Sequence, residues 1–246
     1  MNIINLVKFD FCYHIIKKTA ILFYLYLFPT VIFLLFSYLT KSQFTTEISS
    51  YDYYGLGIMV YFQLSMGTMI SNMIMEENVK LPNMRIAYAF NSETIIYISK
   101  IIALLFADAL SIVLYMSVAT CVFDVEYGLN VVGVFIEYII LGFFSICMGA
   151  CLCIVLNDES SCNNILGVIQ LLLCLLGGVF FPVGKIGKFG EQLSNISIVK
   201  WIYLGMVQMV YCNKYSLVVL VSICAVWISI GLLFIARKKF RIELML

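Results

Sequence analysis

Charge is scarce in this 246-residue chain. Only 12% of its residues are Asp, Glu, Lys or Arg, against 63% that are hydrophobic. A soluble domain is nearer half apolar and a quarter charged. Folding in water cannot hide this much apolar side chain, so the composition specifies a bilayer as solvent. The net charge of +1 excludes nucleic-acid binding through bulk basicity. Histidine occurs once, at His14, which removes any mechanism built on a histidine cluster. No Walker A, dinucleotide-binding or Gly-x-Ser-x-Gly pattern occurs. Glu76-Glu77 is followed by Lys80 rather than by the arginine and later histidines that a membrane metalloprotease needs. The reading is therefore a non-enzyme that binds no metal or cofactor of its own.

Nine cysteines are present. Most sit inside apolar runs, and Cys151 and Cys153 are two apart, which is not a metal-knuckle spacing. They read as small hydrophobes of membrane helices. The apolar run after Lys17 and Lys18 lacks a cleavage site and reads as a retained span.

Apolar runs of bilayer-spanning length recur at about Thr19–Leu39, Tyr53–Met75, Tyr97–Phe123, Val131–Leu156, Ile165–Phe181 and Leu217–Ala236. Backbone polar groups in lipid must be satisfied internally, so each run is expected to be a helix. The fold class is all-α integral membrane with six transmembrane helices in one domain, residues 1–246. Lys8, Lys17, Lys18, Lys80, Arg85, Lys100, Arg237, Lys238, Lys239 and Arg241 fall on one side of that topology. Lys41, Lys185, Lys188, Lys200 and Lys214 fall on the other. The positive-inside rule then puts both termini in the cytoplasm of a plasma-membrane protein.

Three stretches outside the spans carry further expectations. Residues 1–18 place Ile3, Ile4, Val7, Phe11, Ile15 and Ile16 at three- and four-residue spacing, the pattern of an amphipathic helix on the membrane surface. Residues 76–96 form the most polar loop. There Glu76, Glu77 and Lys80 stand at helical spacing. Pro82 is expected to interrupt that helix, a short piece runs from Met84 to Phe90, and Asn91 or Ser92 caps the next helix. Residues 183–216 are too many for a plain connection. Their apolar segment Ile198–Tyr211 is too short to span and reads as re-entrant, with Trp201, Tyr203 and Tyr211 at a membrane–water boundary. Gly177-Gly178 and Pro182 let span five end and bend.

Polar groups at membrane depth are expensive. Asp108 in span three and Glu137 in span four read either as lining residues of a translocation path or subunit interface, or as neutral or snorkelling carboxyls in packing roles. Gln63 and Gln170 are placed to hydrogen-bond across helices, and with Asp108 and Glu137 they are the candidate residues of a translocation path or subunit interface.

Taken in order along the chain, Leu6-Val7-Lys8 with Pro29, the Met75–Arg85 run with Asn91-Ser92 and Lys100, and Gly177-Gly178-Val179-Phe180-Phe181-Pro182 resemble the membrane subunits of type-2 ATP-binding-cassette exporters. The coupling run departs from the family pattern in lacking its glycine and in placing Pro82 early. The resemblance implies an N-terminal interfacial helix, a cytoplasmic coupling helix between spans two and three, and a re-entrant helical hairpin between spans five and six. It also implies a second permease, identical or related, and cytoplasmic ATPase subunits that carry ATP and magnesium. Docking of the ATPase would then involve Glu76, Glu77, Lys80, Met84 and Arg85. The implied function is ATP-driven export of an amphipathic, peptide- or drug-like substrate. Alternatives are an antibiotic-peptide immunity or sensing permease of the same fold, and a non-transporting membrane scaffold.

Overall fold

A computed structural model describes residues 3–43, 49–90, 94–180 and 188–239. Every regular element among them is helical. Six helices are long and apolar enough to cross a membrane: Thr19–Leu39, Ser50–Met75, Thr94–Phe123, Val131–Leu156, Glu159–Gly177 and Ser216–Lys239. These match the six expected runs, with span five starting earlier, at Glu159. The reason is local. Asn157 adopts a left-handed conformation (φ 56°) that ends one helix, and the Asp158 side chain accepts from the Ser161 backbone N–H at 2.7 Å to start the next.

The helices run α1 (Ile3–Asp10), α2 (Thr19–Leu22), α3 (Phe28–Leu39), α4 (Ser50–Met75), α5 (Glu77–Phe90), α6 (Thr94–Phe123), α7 (Val131–Leu156), α8 (Glu159–Gly177), α9 (Lys188–Ser194), α10 (Ile198–Cys212) and α11 (Ser216–Lys239). A wide π turn, Phe23–Leu27, joins α2 to α3 within the first span. Pro29 explains it: proline has no N–H, and its ring crowds the carbonyl four residues back, at Leu25.

α4 is the central post. It packs on α7, α8, α3, α6 and α10, and most of it is buried. Small residues permit this. A Cβ on Gly149 of α7 would strike the backbone of Gly67 in α4, so the two helices cross backbone to backbone. By contrast α3 and α11 present mostly outward-facing apolar side chains, among them Leu35, Leu39, Trp227 and Phe234. In a bilayer such apolar faces suit lipid or a neighbouring protein. The buried apolar residues form two clusters. One gathers Ile15, the Met66–Met75 half of α4, the start of α6, the end of α7 and Ala236. Ile15 and Ala236, near the two ends of the described chain, therefore lie at one end of the bundle, here called the terminal end. The other cluster gathers the Tyr54–Leu64 half of α4 with α10 and the facing ends of α3, α6, α7 and α11, and marks the distal end.

The N-terminal helix differs from its sequence pattern. It continues from α1 through a π turn, Phe11–Ile16, and packs on α6. The side chains it turns inward are Leu6, Asp10, His14 and Ile15, whereas Ile3, Ile4 and Ile16 point outward. Asp10 and His14 thus face the protein alongside Leu6 and Ile15, because a lysine on α6 awaits them.

Between spans two and three, α5 runs straight through Pro82 rather than being interrupted. Proline there forfeits only the bond to the Asn78 carbonyl. The helix is held from inside instead: Asn83 Nδ2 donates to the Ile74 carbonyl at 2.9 Å, capping the end of α4. The Asn91-Ser92 cap and the Phe181-Pro182 part of the span-five motif lie outside the described residues. Within 183–216 the described part is two short helices, α9 and α10, the shorter ending one residue before Asn195. Trp201 and Tyr211 are exposed at their rim. Tyr203 is buried against α4, where its hydroxyl donates to the Tyr53 carbonyl at 3.0 Å.

Candidate functional site

Two regions gather the polar residues that the sequence singles out. The first is the terminal end around α5. Glu77, Leu81 and Arg85 follow each other at four-residue spacing and form an outward strip, with Asn78 and Pro82 beside them, all exposed. Val79 and Asn83 turn inward, and Met84 packs against the terminal cluster. Leu81, 63% exposed, is an apolar knob between two charges that the sequence reading passed over. Glu76 faces neither way. It caps α4 and is ion-paired with Lys18, at the foot of the first span. Lys80 lies toward Asp158 and Glu159 at the start of α8. The hydrogen bonds from Ser161 and the charge of Lys80 hold the Asp158 carboxyl below the usual carboxylate range.

Behind this surface sits a buried ionic cluster that the sequence reading missed. Lys100 was expected among the loop cations but is only 1% exposed, one and a half turns into α6. Its Nζ donates to Asp10 Oδ1 and to His14 Nε2, each at 3.0 Å. Ser99 Oγ lies 2.6 Å from Asp10 Oδ2. The His14 imidazole accepts with Nε2, so Nδ1 carries the hydrogen. Burial, then the cations of Lys100 and Lys18, push the His14 pKa down to about 3, and the ring is neutral at physiological pH. The N-terminal helix is thereby tied to α6 by ions and to α4–α5 by the Lys18–Glu76 pair. A signal existed in the sequence: Asp10 and His14 are one helical turn apart in an otherwise apolar setting.

The second region is the bundle interior. Gln63 and Asp108 meet: Gln63 Nε2 donates to Asp108 Oδ1 at 2.9 Å, and both residues are fully buried. Glu137 is elsewhere. Its two carboxyl oxygens lie 2.6 and 2.8 Å from Ser222 Oγ, joining α7 to α11. Gln170 Nε2 donates to the Tyr61 carbonyl at 3.1 Å, joining α8 to α4. The four residues thus make three separate interhelical links. At the distal end, a cleft of about 640 Å³ opens beside Thr120, Asp124, Glu126, Tyr127 and Val210.

The distal half of α4 is held by tyrosines. Tyr115 Oη donates to the Gly55 carbonyl and Tyr138 Oη to the Leu56 carbonyl, each at 3.0 Å. Tyr54 Oη donates to the Phe180 carbonyl at 2.9 Å, and Tyr53 Oη to the Gly178 carbonyl. Gly178 has φ +77°, the left-handed conformation that ends span five as the glycine pair predicts. The nine cysteines are free thiols, five of them buried among the helices.

Six helices long and apolar enough to cross a membrane define a multi-pass membrane domain. The profile of the ABC-2 family transporter proteins matches residues 36–236, most of the chain. The protein belongs to that family. No curated protein matches the sequence. Membership makes this chain the multi-pass permease component of an ABC transporter, a transport rather than a catalytic subunit, and implies association with an ABC ATPase.

Proposed function

We propose that this permease works as an ATP-driven exporter, with α5 as the coupling helix on which a cytoplasmic ATPase docks. The observation that carries the reading is the outward strip Glu77, Leu81 and Arg85 on a helix whose other face is fastened to the core by Asn83, Val79 and Met84. A rigidly backed helix transmits a push, and an apolar knob flanked by opposite charges gives a partner both affinity and register. Glu76 and Lys80, in this reading, brace the coupling helix from inside rather than touching the ATPase. Two copies of the permease, or this chain and a related one, enclose the path. Both termini and α5 face the cytoplasm, where ATP is available, and α9–α10 form a hairpin that re-enters from the outer side. The N-terminal segment lies at the cytoplasmic interface, its exposed Ile3, Ile4 and Ile16 toward lipid. The apolar interior favours an amphipathic, peptide- or drug-like substrate over an ion or sugar.

The test is the double charge reversal Glu77→Lys and Arg85→Glu, read by co-purification of the ATPase and by substrate-stimulated ATP hydrolysis in the complex. Co-purification is expected to fall at least tenfold, the loss of about 1.4 kcal/mol or more of binding, with membrane insertion unchanged. Full retention of the ATPase by the inserted double variant would overturn the docking face.

A further inference from the structure

Gln63 and Asp108 present a hydrogen-bonding deficit that one atom repairs. Their shared bond uses Gln63 Nε2 and Asp108 Oδ1. The two remaining oxygens, Gln63 Oε1 and Asp108 Oδ2, are buried without a partner. They are also close to each other. Both lie within 2.6 Å of the point where a Cβ would stand on Gly142 of α7. Two bare acceptors therefore converge on a notch that only glycine leaves open, in the middle of the bundle where α4, α6 and α7 meet.

Leaving two acceptors unpaired and facing each other in hydrocarbon costs several kcal/mol (order of magnitude), and an ionised carboxylate there costs more. Swapping the Gln63 amide does not help. The N–H₂ would then serve Oδ2, and the amide oxygen would face Oδ1 instead, so one acceptor pair remains in either orientation. A hard metal ion is a poor occupant, since such ions take about six or more oxygens and two are offered. Among the described residues, the side chains that interact with Asp108 are Gln63, Ser111, whose hydroxyl donates to the Asp108 backbone carbonyl, and Tyr26, all neutral, so none of them balances a carboxylate.

We infer that Asp108 is a proton-binding site: Oδ2 carries a proton and donates it to Gln63 Oε1, closing a cyclic acid–amide pair that clasps α4 to α6 in the Gly142 notch. The pair has two bonds, N–H to Oδ1 and O–H to Oε1, and satisfies every polar atom of both groups that the notch encloses. It binds one proton per chain. Release of that proton requires α4 to part from α6 and α7 so that water reaches the carboxylate. The site therefore reports whether this seam is closed, whatever the substrate is, and it does not depend on the docking assignment.

Infrared spectroscopy of the full-length protein in lipid vesicles at neutral pH tests this directly. Glu137→Gln protein, which lacks the other intramembrane carboxyl, is expected to keep a protonated-carboxyl C=O band that shifts in D₂O. Adding Asp108→Asn to that protein is expected to abolish the band while the fold is kept, because the new N–H₂ replaces the hydroxyl as donor to Gln63 Oε1. Adding Gln63→Leu to Glu137→Gln instead is expected to move the band to higher frequency, as the carboxyl loses its partner. Absence of the band from Glu137→Gln protein, its persistence when Asp108→Asn is added, or an unshifted band when Gln63→Leu is added would each overturn the proposal. None of these outcomes bears on ATPase co-purification, so the two readings fail separately.

Discussion

The two ends of this bundle are fastened by different chemistry. At the distal end, neutral phenols of α4, α6, α7 and α10 reach across to backbone carbonyls. At the terminal end, the N-terminal helix is held to α6 by a buried cluster of Asp10, His14 and Lys100 and to α4 by Lys18–Glu76. The difference is instructive. A phenol bond depends little on pH or salt, and it rigidifies whatever it joins. An ionic cluster is all or nothing: fully paired it is stable, and with one member removed it leaves a buried charge. The end that meets a partner in the proposed mechanism is thus the end whose cohesion responds to its surroundings.

The largest effect expected from this contrast is at Lys100. Lys100→Met leaves Asp10 buried beside a neutral imidazole, and removing one member of a buried pair costs about 3–5 kcal/mol. Unfolding of the protein in lipid or detergent measures it. The double variant Asp10→Asn with Lys100→Met removes both charges and is expected to recover most of the loss. If the single variant is as stable as the parent, the terminal end is not held by charge, and the contrast collapses.

A smaller effect is graded by pH. His14 has its pKa depressed from 6.5 to about 3 in the fold, first by burial and then by Lys100 and Lys18. Its contribution to stability is therefore complete above about pH 6.5, where both folded and unfolded chains are neutral there, and declines as pH falls toward 3, because only the unfolded chain takes up the proton. The maximum slope is about 1.4 kcal/mol per pH unit. His14→Gln, which keeps an acceptor for Lys100 but does not titrate in this range, is expected to flatten the profile by that amount. Parallel profiles for parent and variant would show that the imidazole titrates normally.

Much of this fold was legible in the chain. Apolar runs near 20 residues are forced to be helices in lipid, so five of the six spans are legible to within about a turn at most ends. Span five was displaced at its start because Asp158 and Glu159, polar enough to read as loop, instead cap and open the helix at the bundle end. Asp108 and Gln63 were each conspicuous as polar groups in apolar runs. Their pairing was not, since they are 45 residues apart and only the α4–α6 crossing joins them. Lys100 shows the limit most clearly. A lysine six residues into a helix near a loop looks like a loop cation, and only the partner helix reveals a buried one. Leu81 shows the reverse case, an apolar residue whose exposure no periodicity argument assigns.

The smallest expected effect sharpens the distal side of the comparison. Tyr138 is fully buried in α7, and its hydroxyl donates to the Leu56 carbonyl of α4 at 3.0 Å. Tyr138→Phe keeps the ring in place and deletes that single bond. The Leu56 carbonyl is an intrahelical acceptor as well, so it is not orphaned, and the loss is expected near the modest value for an interhelical bond in a membrane, about 0.6 kcal/mol and no more than about 1.5. Because phenols titrate near pH 10 in water and no proton is exchanged below that, the loss must be the same at acidic and neutral pH. Unfolding of Tyr138→Phe at both pH values separates the alternatives. A constant small loss means the distal end is held by bonds that exchange no proton, unlike the ionic end. A loss that grows at acidic pH would mean that the two halves share one titrating network, and the division drawn between them would have to be abandoned.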